Sequence, residues 1–407
     1  MTDLATGLAW PAASPSLQDI RIGWLGHKST TIGDGLRTYS REVTAGLARR
    51  AVDVRFVHHE RSLDDGLSSH SLRGRPGFQR RFVVADKGDR SRLVGLLQDH
   101  SVDLVHLSAP FSTLDFTLPE LCHRLGIPIV VTFHVPFARD LSTWGALAAG
   151  VYRLYVRALS ACDRVIVLGQ AQRHLLIKLG VPARVIVVLP NGVDTDKFSP
   201  GFSVAFERFQ ADRLFSFCGR VDPEKEVETL VQAFLSTAPP QSVRLVIAGD
   251  GVDLARLRRR YQDERVVFLG AVRDEHSRIE ILRSSDAFFL PSRVEALSLA
   301  LLEAMACGAA VAATDVGNHA EVLEDAGVLL STSRLFDDLR STIRSFIEAP
   351  ARCRSLGAQA RARAVAEFSL DAHLDGLIRV YRELTRRERH PARSPGRDGE
   401  GARARLL

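Results

Sequence analysis

Apolar residues recur along this chain in two alternating rhythms. Short runs such as 20–25 (IRIGWL), 52–57, 102–107, 128–132 and 165–168 read as buried strands. Between them apolar positions return every three or four residues, as at Leu36, Tyr39, Val43 and Leu47, the mark of a helix with one buried face. Strands spaced by such helices imply βαβ units and a parallel sheet. The rhythm stops after an apolar run at 185–189, where PNGVDTDKFSPG gathers prolines, glycines and polar turn formers. It then restarts, with strands expected at 214–218, 243–248, 265–269, 287–290, 310–313 and 327–330. Helices are expected at 227–236, 253–261, 273–283, 296–306, 335–348 and 350–368.

This pattern predicts an α/β protein with two tandem Rossmann-like, doubly wound parallel-sheet domains, 19–193 and 194–370, facing a central cleft. Residues 371–385 are expected to form a helix that crosses back to the first domain. The segments 1–18 and 386–407, rich in Ala, Pro, Ser, Gly and charge, are expected to be disordered.

Composition narrows the class. With 45% apolar and 25% charged residues the chain is globular, and no uncharged apolar run approaches the roughly 18 residues of a spanning helix. Asp3, Pro11 and Pro15 make the first residues a poor signal peptide. Five widely spaced cysteines, without C-x-x-C, argue against a disulfide framework or zinc cluster and suit a reducing cytoplasm. The net charge of +6 could suggest nucleic acid or an anionic membrane, but seven arginines against three acids after residue 385 supply +4 of it. Nucleic acid is therefore not expected as a partner, and membrane association is not favoured. Arg73, Arg75, Arg80 and Arg81 do cluster in one loop, yet lack interleaved Leu or Trp at helical spacing.

Three motifs carry chemistry. Gly33-Asp34-Gly35 lies between the first strand and first helix, where glycine lets backbone approach a ligand and free amides attract an anion. Gly219-Arg220-Val-Asp-Pro-Glu-Lys225 follows the first strand of the second domain, and its Arg and Lys can converge on one pyrophosphate. Only five lysines occur in the chain, which makes Lys225 informative. The third motif runs from Pro291 to Gly308. It sets Glu295 and Glu303 eight apart around an apolar helix, with Ala296, Leu297 and Ser298 expected to present free helix N–H groups to a phosphate. Glu303, on so apolar a helix, requires a hydroxyl or cationic partner.

These motifs, with Thr132-Phe133-His134, Asn191-Gly192-Val193-Asp194, Ala248-Gly249-Asp250-Gly251, Thr314 and Gly317-x3-Glu321, resemble the retaining glycosyltransferases of family 4, which have the GT-B fold. The likeness spans roughly residues 20–370. It implies that Arg220 and Lys225 hold the diphosphate of a nucleotide-sugar donor, and that Glu303 binds the ribose hydroxyls. It likewise implies that Glu295 meets a sugar hydroxyl, that Gly33 and Gly35 admit the phosphates, and that His134 contacts the sugar near its reacting centre. Asp34 and Arg37 would face the acceptor. Ala296 stands where the family usually has Gly, Asp34 splits the glycine pair, and Asn318-His319 replace smaller residues.

The expected reaction moves a hexose or N-acetylhexosamine, from a UDP-sugar by preference, to the hydroxyl of a small acceptor. An aminocyclitol of antibiotic biosynthesis fits, and a lipid-linked or polysaccharide acceptor is the alternative. Retention, with no metal and no other cofactor, is part of the same expectation. Asp194-Thr195-Asp196 spells D-x-D but sits in the linker, where turn chemistry explains it, and His58-His59 reads as a solvated loop. A nicotinamide dehydrogenase would need a third glycine after Gly35. A non-catalytic nucleotide-sugar sensor would need no His134.

Overall fold

Two parallel sheets, each flanked by helices on both faces, organise the computed structural model, which describes residues 20–27, 35–59, 69–76, 83–137, 143–203 and 209–387. The first sheet begins with β1 (Arg21–Leu25), α1 (Gly35–Arg49), β2 (Asp53–His58) and β3 (Ser69–Ser71). A small antiparallel hairpin, β4 (Gly74–Pro76) and β5 (Val83–Ala85), precedes α2 (Asp89–Asp99). There follow β6 (Leu104–Ala109), α3 (Leu118–Leu125), β7 (Ile129–Phe133), α4 (Thr143–Ser160), β8 (Arg164–Val167), α5 (Gln170–Lys178) and β9 (Ile186–Val188). Strand order is β3-β2-β1-β6-β7-β8-β9. The polar strand β3 and the hairpin carry no period-2 apolar pattern, so sequence reasoning passes over them.

The second sheet contains β10 (Arg213–Cys218), β11 (Val243–Ala248), β12 (Val266–Gly270), β13 (Ala287–Leu290), β14 (Ala310–Thr314) and β15 (Val328–Leu330). Its order is β12-β11-β10-β13-β14-β15. Intervening helices are α6 (Val227–Ser236), α7 (Leu254–Arg260), α8 (Glu275–Arg283), α9 (Leu299–Ala306), α10 (His319–Leu323), α11 (Leu335–Glu348) and α12 (Pro350–Glu367). In each sheet the winding reverses beside the first strand, between β1 and β6 and between β10 and β13. Ligand crevices form there, beyond the carboxyl ends of the strands.

The last helix, α13 (Leu370–Arg387), belongs physically to the first sheet. Leu374, Leu377, Ile378, Tyr381 and Leu384 recur on one face and bury against Ile22, Trp24, Val43 and Leu47. Gly46 makes the approach to α1 close: a Cβ there would lie 2.5 Å from Leu374 Cδ1. The chain returns through a two-bond bridge, Val193 N–H to the Phe368 carbonyl and Leu370 N–H to the Val193 carbonyl, each 2.8 Å. Gly192 permits this crossing, since a Cβ would stand 2.7 Å from Leu370 Cα. All five cysteines are buried and free. Among the described residues no helix is long and apolar enough to cross a membrane.

Candidate active site

The site grows from loops that leave the carboxyl ends of β10, β11, β13 and β14. The β10 and β11 loops are welded together by Gly219 N–H to the Ala248 carbonyl (3.0 Å), Val221 N–H to Asp250 (2.9 Å) and Asp253 N–H to Val221 (3.0 Å). Such contact demands glycine. At Gly249, with φ +157°, a Cβ would fall 1.7 Å from the Gly219 carbonyl oxygen. The sequence Gly-Arg-x4-Lys and the sequence Ala-Gly-Asp-Gly are thus two halves of one loop pair.

On that pair Arg220 is gripped by Asp222 and by Glu224 at 3.0 Å, with about a third of its side chain exposed. Lys225 bonds to Glu295, whose carboxylate also accepts from Ser292 Oγ at 2.9 Å. Both partners are largely buried. Burial works to raise the Glu295 pKa, but Lys225 and then His319 outweigh it and hold the carboxyl below its ordinary range. Glu295 and Lys225 are therefore a charged couple, and Glu295 is no free nucleophile.

The helix after Glu295 starts later than the sequence suggests. Instead of 296, α9 begins at Leu299, with Ser298 as an uncapped extended N-cap. The reason lies in the carbonyls. That of Glu295 accepts Phe137 N–H from the first domain (3.0 Å), and that of Ala296 accepts both Asn318 N–H (3.0 Å) and Asn318 Nδ2 (3.1 Å). Oxygens engaged across loops are lost to a helical turn, so Ala296, Leu297 and Ser298 form an extended bend and the free amides begin at Leu299. Gly317, at φ +57°, closes the bend: a Cβ would lie 2.4 Å from the Glu295 carbonyl.

Glu303 occupies the buried side of α9, and Arg278 approaches it at 3.2 Å. Burial dominates and lifts its carboxyl to about 7, with Arg278 opposing and Glu275 and Glu42 adding to the rise. On the first domain, His134 follows β7 with its backbone N–H on the Ala109 carbonyl at 2.9 Å. Its ring meets Tyr39 edge-to-face, centroids 4.4 Å apart, and its buried Nε2 has no hydrogen-bond partner among the described residues. Burial, with His373 and His27 adding, drives its pKa down to about 3, so the imidazole is neutral. Gly35 opens α1 with no atom of the described residues within 4 Å of a would-be Cβ, and Arg37 lies half-buried on the same turn. Gly33 and Asp34 lie outside the described residues, as do Arg80 and Arg81.

Several features escape linear reading. Glu321 on α10 crosses the cleft and caps α5, accepting Gln170 N–H and Ala171 N–H at 2.6 Å each. Asn318 and His319 are fully buried scaffold: Asn318 fits because Gly169 has no Cβ, and His319 Nδ1 bonds the Thr314 carbonyl at 3.0 Å. Lys197 in the linker joins Glu42 (3.0 Å) and Glu275 (3.3 Å). Asp194 caps its own turn, accepting from Asp196 and Lys197 N–H. His58 and His59 are not in a solvated loop as expected. His58 is fully buried as the last residue of β2, because that strand runs one residue longer into the core, and the His59 ring is buried against Phe111, centroids 4.5 Å apart.

Two doubly wound domains whose strand ends face one another across basic and acidic loops define a GT-B glycosyltransferase. Residues 33–197 match the family model for glycosyltransferase family 4, and residues 203–363 match that for glycosyl transferases group 1. A D-inositol 3-phosphate glycosyltransferase from Rhodococcus erythropolis is 30% identical over 88% of this chain and 88% of its own. A GDP-mannose-dependent alpha-mannosyltransferase from Mycobacterium tuberculosis is 31% identical over 57% of this chain and 60% of its own. In fold, sucrose-phosphate synthase from Thermosynechococcus elongatus aligns with TM-score 0.75 at 20% identity, covering 90% of this chain and all of that one. HepE of Anabaena in complex with UDP-glucose aligns at 0.73 and 18%, covering 89% of this chain and all of that one. The chain belongs to the family-4 glycosyltransferases.

Proposed function

We propose that this enzyme transfers a hexose or N-acetylhexosamine from a UDP-sugar to a hydroxyl of a small acceptor, with retention at the anomeric carbon and without a metal. The observation that carries the reading is the cluster of Arg220, Lys225 and Glu295 on the second domain, set against the first by the Phe137–Glu295 bond. Arg220 and Lys225 would hold the donor diphosphate and stabilise its departing charge. Glu295 would accept a sugar hydroxyl, Glu303 the ribose hydroxyls, and His134 would border the sugar. With Glu295 tied to Lys225, retention is assigned to front-face displacement. The sugar–phosphate bond breaks, the acceptor oxygen bonds the same face, and the leaving phosphate oxygen takes the acceptor proton. Domain closure would exclude water. The free, buried cysteines suit the cytoplasm as the place of reaction.

For the acceptor, a cavity of about 550 Å³ beside α2 is lined by Arg73, Lys87 and Arg92 against Asp86. This basic wall favours a polyhydroxy acceptor bearing phosphate or carboxylate, and the relative named for D-inositol 3-phosphate points the same way. An aminocyclitol would set like charges together. A lipid-linked or polysaccharide acceptor is the second reading, supported by Val84, 47% exposed and in the same cavity wall.

The test is mass-spectrometric turnover of UDP- and GDP-sugars, with and without chelator, against inositol phosphates, aminocyclitols and lipid-linked acceptors. NMR of the product reports the anomeric configuration. Loss of turnover on chelation, or an inverted product, would overturn the mechanism. NAD binding without nucleoside diphosphate binding would overturn the whole reading, and nucleotide binding without turnover would favour the sensor.

A further inference from the structure

Beneath His134 lies a chain of five buried side chains that ties the last helix, the first sheet and the interdomain linker together. Its links are Tyr381 Oη to His106 Nδ1 (2.7 Å), His106 Nε2 to Thr132 Oγ1 (2.9 Å) and Thr132 Oγ1 to Tyr39 Oη (3.4 Å). Tyr39 Oη then meets His373 Nε2 (3.1 Å), and His373 Nδ1 meets the Pro190 carbonyl (2.7 Å). All five residues are at most 2% exposed.

The last contact orients all the others. A carbonyl oxygen only accepts, so His373 carries its proton on Nδ1 and offers a lone pair at Nε2. Tyr39 must then donate to His373, which leaves its oxygen to accept from the Thr132 hydroxyl. Thr132, its proton committed, accepts from His106 Nε2–H, and His106 Nδ1 accepts from the Tyr381 hydroxyl. Burial keeps both histidines neutral. Each N–H and O–H of the five side chains is used once, and the two imidazoles hold opposite tautomers. Trp24, stacked on His106 with centroids 4.0 Å apart, fixes that ring's plane.

At the centre of this chain stands Tyr39, whose ring also packs against both His134 (4.4 Å) and His373 (5.5 Å). We propose that Tyr39 and His373 are positioning residues: the linker carbonyl of Pro190 sets His373, His373 sets the Tyr39 ring, and Tyr39 sets His134 at the mouth of the cleft. The linker that joins the two domains is thereby connected to the side chain placed beside the donor sugar. This rests on the assignment of His134 under the proposed function.

The test uses the full chain. In ¹⁵N NMR of labelled imidazoles, wild type is expected to show His373 protonated on Nδ1 and His106 on Nε2. Tyr39→Phe keeps the ring and removes the hydroxyl. It is expected to lower kcat roughly 10- to 100-fold with donor KM and UDP affinity unchanged, and to shift the His134 resonances. His373→Phe should do the same, whereas Thr132→Ser, which keeps the hydroxyl, should retain near-wild-type kcat. Either tautomer found reversed overturns the chain of bonds. Unaltered kcat and unmoved His134 resonances in a folded Tyr39→Phe overturn the positioning role. If wild type turns over no sugar donor, the proposed function fails, and the tautomers and His134 resonances still decide the network.

Discussion

Replacing Glu303 with glutamine separates stability from function at a single buried atom pair. The carboxyl rises from an ordinary 4.5 to about 7 because burial costs the ionised form more than Arg278 at 3.2 Å returns. A proton held more tightly in the folded state contributes stability that is complete below the unfolded value of 4.5. That stability is lost as pH rises through about 7. At ~1.4 kcal/mol per pH unit the difference amounts to about 3 kcal/mol. Glutamine stays neutral at every pH and so retains it. Glu303→Gln should match wild type near pH ~5 and exceed it by about 3 kcal/mol near pH ~8.5, read by guanidinium unfolding followed by circular dichroism. On the proposed ribose role, the same change should weaken UDP binding about tenfold near pH ~8.5, where the wild-type carboxyl is ionised and glutamine is not. A variant less stable than wild type at the higher pH would refute the reasoning, since the Arg278 ion pair would then outweigh burial. Equal differences at both pH values would do so as well.

Lys225→Met strands the buried Glu295 carboxylate and should cost about 3–5 kcal/mol in chemical denaturation. Adding Glu295→Gln should recover that stability without turnover, and a stable single variant would contradict the coupling. Gly249→Ala drives a Cβ to 1.7 Å from the Gly219 oxygen. It should lose ~2 kcal/mol or more together with UDP binding measured calorimetrically, and normal binding would refute the welded-loop account. Glu321→Gln removes the charge that caps α5 across the cleft. A loss of roughly 0.5–2 kcal/mol in the clasp should widen the domains in small-angle scattering, and an unchanged radius of gyration would exclude a clasp role.

The local elements were legible because their causes are local. Apolar periodicity marked the strands around Trp24, Val105 and Phe288 and the helix face of Leu36, Tyr39, Val43 and Leu47, and turn residues marked the linker. The spacing of Arg220 and Lys225 put charge on a loop at a strand end, and that of Glu295 and Glu303 put one carboxylate before an apolar helix and one within it, without any knowledge of pairing. Where the helix after Glu295 begins was not legible. Its start depends on Phe137 and Asn318, distant in sequence, taking the carbonyls that a helix would otherwise use.

Partners, too, needed the fold. Alone, the chain specified two α/β units, a basic Gly-Arg-x4-Lys loop and two acidic residues eight apart. Only the tertiary structure chose Arg278 for Glu303, Lys225 for Glu295, and the α5 N-terminus for Glu321. It also joined Tyr39 to His373, 334 residues away, because α13 returns to the first sheet. Periodicity reports which face of an element is buried. Which buried polar group meets which is decided when those faces close on one another.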